Sequence, residues 1–151
     1  MAEIHIDTGN LTFTQFRIPE HSSRFVDGSD SPTVQLEPGS YSFQQISDQS
    51  AGFNFEVSQD GCIDYDLPKE QFLKGRGTRT LTVRGFSVMV DATALSHGLF
   101  PLVAGSGLLK RNQRHALVLA PGTGYGFQSA TDTDADFRFG VDVNGQITID
   151  S

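Results

Sequence analysis

The second half of this chain repeats the first, and that constrains the fold more than any other feature, because a duplicated unit must adopt a structure that two copies can share. Residues 36–66, LEPGSYSFQQISDQSAGFNFEVSQDGCIDYD, align with 119–150, LAPGTGYGFQSATDTDADFRFGVDVNGQITID, once Gly124 is treated as an insertion. Of the 31 aligned positions 14 are identical. The matched residues are core and turn types: Pro38 with Pro121, Gly39 with Gly122, Tyr41 with Tyr125, Phe43 with Phe127, Phe53 with Phe137, Phe55 with Phe139, Gly61 with Gly145. At a constant offset of 84 the match runs upstream, IHID at 4–7 to VMVD at 88–91, Leu11 to Leu95 and Phe16 to Phe100. The 151 residues therefore divide into β repeat 1 at 1–66, a connector at 67–84 with a short turn and one strand, and β repeat 2 at 85–151. One repeat alone would leave much of its Phe-rich face in water, so the two are expected to share one core. Two independent domains are the alternative.

Each unit reads as β-structure. Phe53, Phe55 and Val57 alternate with Asn54, Glu56 and Ser58, the period-two pattern of a half-buried strand. A two-residue turn at Asp60-Gly61 would set carboxylates opposite the apolar face. A three-residue loop, 59–61, with Gly61 left-handed instead pairs Val57 with Ile63 and Phe55 with Tyr65. The second copy obeys the same rule: a loop at 143–145 pairs Val141 with Ile147 and Phe139 with Ile149. Upstream, Pro38-Gly39 predicts a type II hairpin turn placing Leu36 opposite Tyr41 and Val34 opposite Phe43. In copy two, a loop lengthened to 121–123 absorbs Gly124 and sets Leu119 opposite Tyr125 and Leu117 opposite Phe127. A further hairpin at 80–90 would turn at Arg84-Gly85, pairing Val83 with Phe86 and Leu81 with Val88. Helix is confined to one short turn in 67–73, where Pro68 stands early and glycines follow. The expected fold class is all-β, an antiparallel sandwich or barrel built from two tandem repeats related by a pseudo-twofold axis.

Copy two is preceded by a connector strand, TLTV, that nothing before copy one matches, and Ser151 stands where the next connector would begin. Copy one is expected to present an open strand edge unless Thr80–Val83 is shared between the copies. Self-association would close such an edge; a longer array of modules is the alternative.

Chemistry-bearing motifs are sparse. TDTDAD at 131–136 sets Asp132, Asp134 and Asp136 at alternate loop positions, a spacing that can wrap a calcium ion in oxygen ligands. The glycine and distal glutamate of an EF-hand loop are missing, and an exposed acidic loop is the plainer reading. PGTGYG at 121–126 lies between strands and opens no helix, so it reads as a turn rather than a phosphate cradle. His5, His21, His97 and His115 have no short ligand spacing among themselves or with Cys62, the single cysteine, which reads as a free thiol. Ser106 in AGSGL lacks a strand-to-helix elbow. Asp7 with Asp91, and Asp66 with Asp150, are shared between copies; brought together they could do paired acid/base work, whereas an Asp just after a strand ordinarily caps a turn.

Net charge is −7, yet the connector 67–84 carries +4, from Lys69, Lys74, Arg76, Arg79 and Arg84 against Glu70, so the rest carries −11. A second basic cluster, KRNQRH, lies at 110–115. Such clusters can dock on acidic loops of a neighbouring subunit or on an anionic polymer. Neither interleaves aromatics, which makes nucleic acid an unlikely partner. No apolar run is long enough to span a membrane and the N-terminus has no signal-peptide pattern, so the default expectation is cytoplasmic.

The segment Leu36 to Phe43, L-x-P-G-x-Y-x-F, resembles the corresponding hairpin of prealbumin-like and pilin-stalk β-sandwich modules. The resemblance covers about ten residues; it implies a sandwich with a structural or binding role and carries over no site. The functional expectation is a non-enzymatic binding or assembly module that self-associates or docks another protein through the paired loops 46–52 and 130–136 and an open strand edge. Tyr41, Tyr125, Asp48, Arg76 and Arg79 are the candidate ligand-binding residues. A carbohydrate-binding, lectin-like protein is the first alternative, with Tyr41 and Tyr125 stacking on sugars; a small hydrolase or isomerase with its site between the repeats is the second. No cofactor is required, calcium being the one candidate.

Overall fold

The computed structural model describes residues 1–45, 52–94, 98–101, 110–129 and 136–150. The described chain is almost entirely strand. In the first half these are β1 (Ala2–Asp7), β2 (Gln15–Ile18), β3 (Ser22–Asp27), β4 (Thr33–Leu36), β5 (Gly39–Gln45), β6 (Phe53–Val57) and β7 (Ile63–Asp64). A 3-10 turn at Leu67–Gln71 follows, then β8 (Leu73–Lys74) and β9 (Thr80–Val83). The second half holds β10 (Phe86–Asp91), β11 (Leu99–Pro101), β12 (Arg114–Leu119), β13 (Gly122–Ser129), β14 (Asp136–Val141) and β15 (Ile147–Asp150). They form sheets of order β4-β1-β9-β8, β10-β12, β11-β13-β14-β15 and β3-β2-β5-β6-β7, antiparallel throughout except that β1 and β9 run parallel.

Side-chain alternation decides which face of each strand is dry. Phe53, Phe55 and Val57 are buried on β6 while Asn54 and Glu56 face water. Both bulged turns form as the phase requires. Val57 pairs with Ile63, Val141 with Ile147 and Phe139 with Ile149. Gly61 and Gly145 stand at φ 81° and 84°, a left-handed conformation that strains any residue with a Cβ. The Phe55–Tyr65 pair does not extend the first ladder, because β7 stops at Asp64 and the chain turns at Asp66-Leu67-Pro68 into the 3-10 turn.

Three expected hairpins are absent. β4 pairs with β1, setting Leu36 opposite Ala2 and Val34 opposite Ile4, while β5 pairs with β6 and β2. The chain thus crosses between sheets at Glu37-Pro38 instead of turning back, and Gly39 is extended at φ 157°. In the second half β12 pairs with β10, Leu119 opposite Phe86 and Leu117 opposite Val88, while β13 pairs with β14 and β11. Nor do β9 and β10 pair. β9 lies on β1, and the chain passes through Gly85, where a Cβ would stand 2.6 Å from the Leu119 backbone. The reason is common to all three: alternation fixes which face is buried, not which neighbour buries it. Consequently Leu36–Phe43 is no hairpin, and its resemblance to that of prealbumin-like and pilin-stalk modules fails at the turn. Gly124 is absorbed by a β-bulge, not by a longer turn, since the register of β13 on β14 shifts between Gly122 and Tyr125, with Gly124 at φ 87°.

Each crossing is fastened by the tyrosine that follows it. The Tyr41 hydroxyl donates to the Glu37 carbonyl at 2.5 Å and the Tyr125 hydroxyl to that of Ala120 at 2.6 Å, and Glu37 and Ala120 are aligned residues. Two apolar clusters result. One gathers β1, β2, β5, β6 and the 72–83 segment, with Ala120 from the second half; the other gathers β10, β12, β13 and β14, with Phe13 from the first. Phe86 packs against both, and stacked rings link Phe16, Phe43 and Phe53 at centroid distances of 5.1 and 4.8 Å.

Candidate functional site

The connector is a structural strand of the first half. β9 lies parallel to β1, with Thr80, Leu81 and Thr82 opposite His5, Ile6 and Asp7, and the His5 N–H donates to the Arg79 carbonyl at 2.9 Å. On its other flank the segment bonds the end of β7: Ile63 N–H donates to the Thr78 carbonyl at 2.7 Å, and Gly77 N–H to the Ile63 carbonyl at 2.9 Å. Phe72, Leu73, Leu81 and Val83 are fully buried there. The edge of β1 expected to be open is covered by β9, whose other flank carries β8 and which is not shared with the second half, since β10 pairs with β12 instead.

The equivalent span in the second half is open among the described residues. At the aligned residues, β10 pairs with β12 in the register that β1 keeps on β4, and β15 with β14 in that of β7 on β6. Between β10 and β15 runs a groove of about 300 Å³ lined by Val88, Met89 and Val90 of β10, Phe139 of β14, and Ile147 and Ile149 of β15. Ile63 is 1% exposed and its counterpart Ile147 43%; Tyr65 is 7% exposed and its counterpart Ile149 73%. Met89 is also largely exposed. Ile147 and Ile149, in phase with buried Val141 and Phe139, thus stand in water beside a strand edge, with Met89 exposed on the outer face of β10, an arrangement characteristic of interaction surfaces.

Asp91 closes one end of the groove lining, 3.5 Å from the Arg114 guanidinium. The Thr93 hydroxyl and backbone N–H, donating at 2.6 and 3.0 Å, hold its carboxyl below the usual range, outweighing slight desolvation, with Arg114 adding to the effect. Asp7 likewise accepts from the N–H two residues on, Gly9, at 3.0 Å. Asp7 and Asp91 therefore each cap their own turn, as the plainer reading of those aspartates has it. Asp66 precedes the 3-10 turn without a side-chain capping bond.

The other candidate residues are scattered. Tyr125 is 1% exposed, its one hydroxyl proton shared between the Ala120 carbonyl and Gln45 Oε1, 2.9 Å away, and burial pushes its phenol far up. It cannot stack on a sugar, because no ring face reaches solvent. Tyr41 is half-buried in a separate groove of about 430 Å³ with Glu20, Ser42, Asn54, Glu56 and Lys69. There partial burial pushes the Glu20 carboxyl up, but the Ser42 hydroxyl at 2.6 Å and backbone donors outweigh it and hold the group below its usual range. Arg76 is committed to fastening the connector: it bonds Asp64 at 3.0 Å, approaches Glu70 at 3.6 Å, donates to the Tyr65 carbonyl and lies over the Tyr65 ring. Arg79 is exposed near Gly61 and lends its charge to Asp60. Asp48, Asp132, Asp134, His97, Ser106 and nearly all of loops 46–52 and 130–136 lie outside the described residues; the backbone of Asp136 starts β14. Among the described residues no three His, Cys, Asp or Glu side chains group as metal ligands, Cys62 is a free half-buried thiol, and no helix is long and apolar enough to cross a membrane.

Sequence reasoning missed the groove. The open edge was expected on β1, which β9 covers. None of the family models, curated proteins or solved structures with which the chain was compared matches it.

Proposed function

We propose that the protein is a non-enzymatic docking or assembly module, built from two copies of one β unit around a shared core, that works through the groove between β10 and β15. The observation that carries this reading is the exposure of Ile147 and Ile149 beside the edge of β10. Burying the exposed parts of the two isoleucines contributes about 2–3.5 kcal/mol, to which edge-strand hydrogen bonds add orientation. The hydrolase or isomerase alternative needs an acid-lined cavity between the halves, where Phe86 instead packs against both apolar clusters. The experiment is retention of the chain on an array of short peptides with alternating apolar residues, read beside light scattering at tens of micromolar. Retention or a defined oligomer, either one lost in Ile149→Asp, is the expected result. A monomer that binds no peptide overturns the reading.

A second reading, glycan binding, is favoured by the Tyr41 groove, where an aromatic ring stands among carboxylate, amide and ammonium groups. Glycan-array binding abolished by Tyr41→Ala would support it; an empty array removes it.

A further inference from the structure

We propose that a groove on the first half, between β3 and β4, binds a small amphipathic anion, a carboxylate carried on a short apolar body. The site shares no lining residue with the groove between β10 and β15 and does not depend on the docking reading. β3 and β4 are the end strands of two different sheets, and among the described residues a cleft of about 330 Å³ lies open between them. Its floor is the buried pair Phe16 and Ile18, and its walls are Val26, 39% exposed, and half-buried Val34. That volume is at the small end of ligand pockets, which limits the occupant to a small molecule.

The cationic side of the groove is built by a bulge. Phe16 pairs with Val26 and Ile18 with Ser22, so three residues of β3, 23–25, stand opposite Arg17 alone. Bulges of this kind re-aim side chains, and here Arg24 comes to line the groove together with His21. Arg17 is already engaged, its Nε donating to Gln44 at 2.7 Å and its guanidinium lying over the Phe25 ring. Arg24 differs: its backbone N–H donates to the Ser22 hydroxyl, while its guanidinium has no hydrogen-bond or ion-pair partner among the described residues. The chain has 18 acidic against 11 basic side chains, yet no carboxylate lines this groove. A neutral hydrophobe would leave the guanidinium unmatched, and a bare anion would leave the apolar walls wet. A carboxylate meets the planar fork of Arg24 with two parallel hydrogen bonds while its apolar body covers Val26 and Val34.

The test titrates the full chain with hexanoate at constant ionic strength, read by amide NMR shifts, beside 1-hexanol and acetate as the apolar body and the charged head alone. Saturable shifts are expected in β2, β3 and Val34 with a Kd of a few millimolar or tighter, on the order of tenfold below that of either fragment. Arg24→Gln should weaken hexanoate about tenfold and leave hexanol unchanged, and Arg24→Lys, which keeps the charge, should lose less. Val26→Ser should weaken both ligands several-fold. Arg24 is exposed and its side chain holds nothing else in place, so its variants keep the fold. No saturation by about 30 mM, shifts centred elsewhere, or hexanol binding as tightly as hexanoate overturns the proposal. So does Arg24→Gln that self-associates with hexanoate affinity unchanged, which would make the guanidinium a guard against pairing at the β3 edge.

Discussion

The spans β1 to β7 and β10 to β15 are set by the same residue phase and the same bulged turn, yet one is filled and the other is a groove. Ile63 and Ile147 are aligned, identical and paired to aligned valines, and only the first is dry. Strand phase is a local property, whereas burial depends on what reaches the strand from elsewhere. Here that is a connector 14 or more residues further along the chain. The difference also reassigns the connector. Arg76 braces the segment through Asp64, Glu70 and the Tyr65 ring and Lys69 pairs with Asp66, while Arg79 and Arg84 are exposed.

The sharpest way to break this comparison is to truncate the filling strand and the open wall in turn. Leu81→Ala removes a fully buried side chain and should lower unfolding free energy by about 2–5 kcal/mol in urea titration. Ile149→Ala should change it by no more than about 0.5 kcal/mol, since the side chain is mostly in water already. Equal losses would mean that the groove is packed in solution and that the two spans do not differ.

The two crossing tyrosines offer a second contrast. Tyr125→Phe deprives buried Gln45 and the Ala120 carbonyl of a donor and should cost about 1–3 kcal/mol, against at most about 1 kcal/mol for Tyr41→Phe at its exposed corner. The alkaline limb carries an independent sign. Burial raises the Tyr125 pKa in the folded state, so the unfolded chain releases its proton first, near pH 10. Stability from this group is complete below that pH and declines as pH rises above it. Tyr125→Phe should flatten that limb in urea midpoints measured between pH 9 and 11; an unchanged slope would show the ring to be solvated.

Strand phase and the two bulged turns were legible because their causes are local: period-two alternation, and a glycine where only a left-handed residue closes the loop. Sheet neighbours were not, since Leu36 satisfies its phase as well against Ala2 as against Tyr41. Gly124 was correctly counted as an extra residue but placed in a turn, because nothing in PGTGYG separates a longer turn from a bulge. Of the candidate site, an open edge was expected, but on β1, which β9 covers. The groove was not, because Ile147 and Ile149 carry the alternation of a buried strand and nothing in it reveals the missing neighbour. Sugar stacking by Tyr125 required an exposed ring, and its burial was not legible because its partner Gln45 lies 80 residues away.

The smallest expected effect concerns the aspartates that end β1 and β10. Both cap a turn through the N–H two residues on, but Asp91 gains a hydroxyl donor from Thr93, where the first half has Gly9. Its lowered pKa therefore arises first from Thr93, and Arg114, itself exposed, contributes less. Thr93→Val should move the Asp91 titration up towards the ordinary carboxylate range, by more than Arg114→Gln does, in side-chain carboxyl NMR between pH 2 and 6. The sign on stability follows: a depressed carboxylate supports the fold above its unfolded pKa near 3.9 and loses that support as pH falls through the folded value, so Thr93→Val should be slightly more resistant to acid relative to its own neutral stability. A larger shift in Arg114→Gln would mean that this end of the groove is governed by an ion pair.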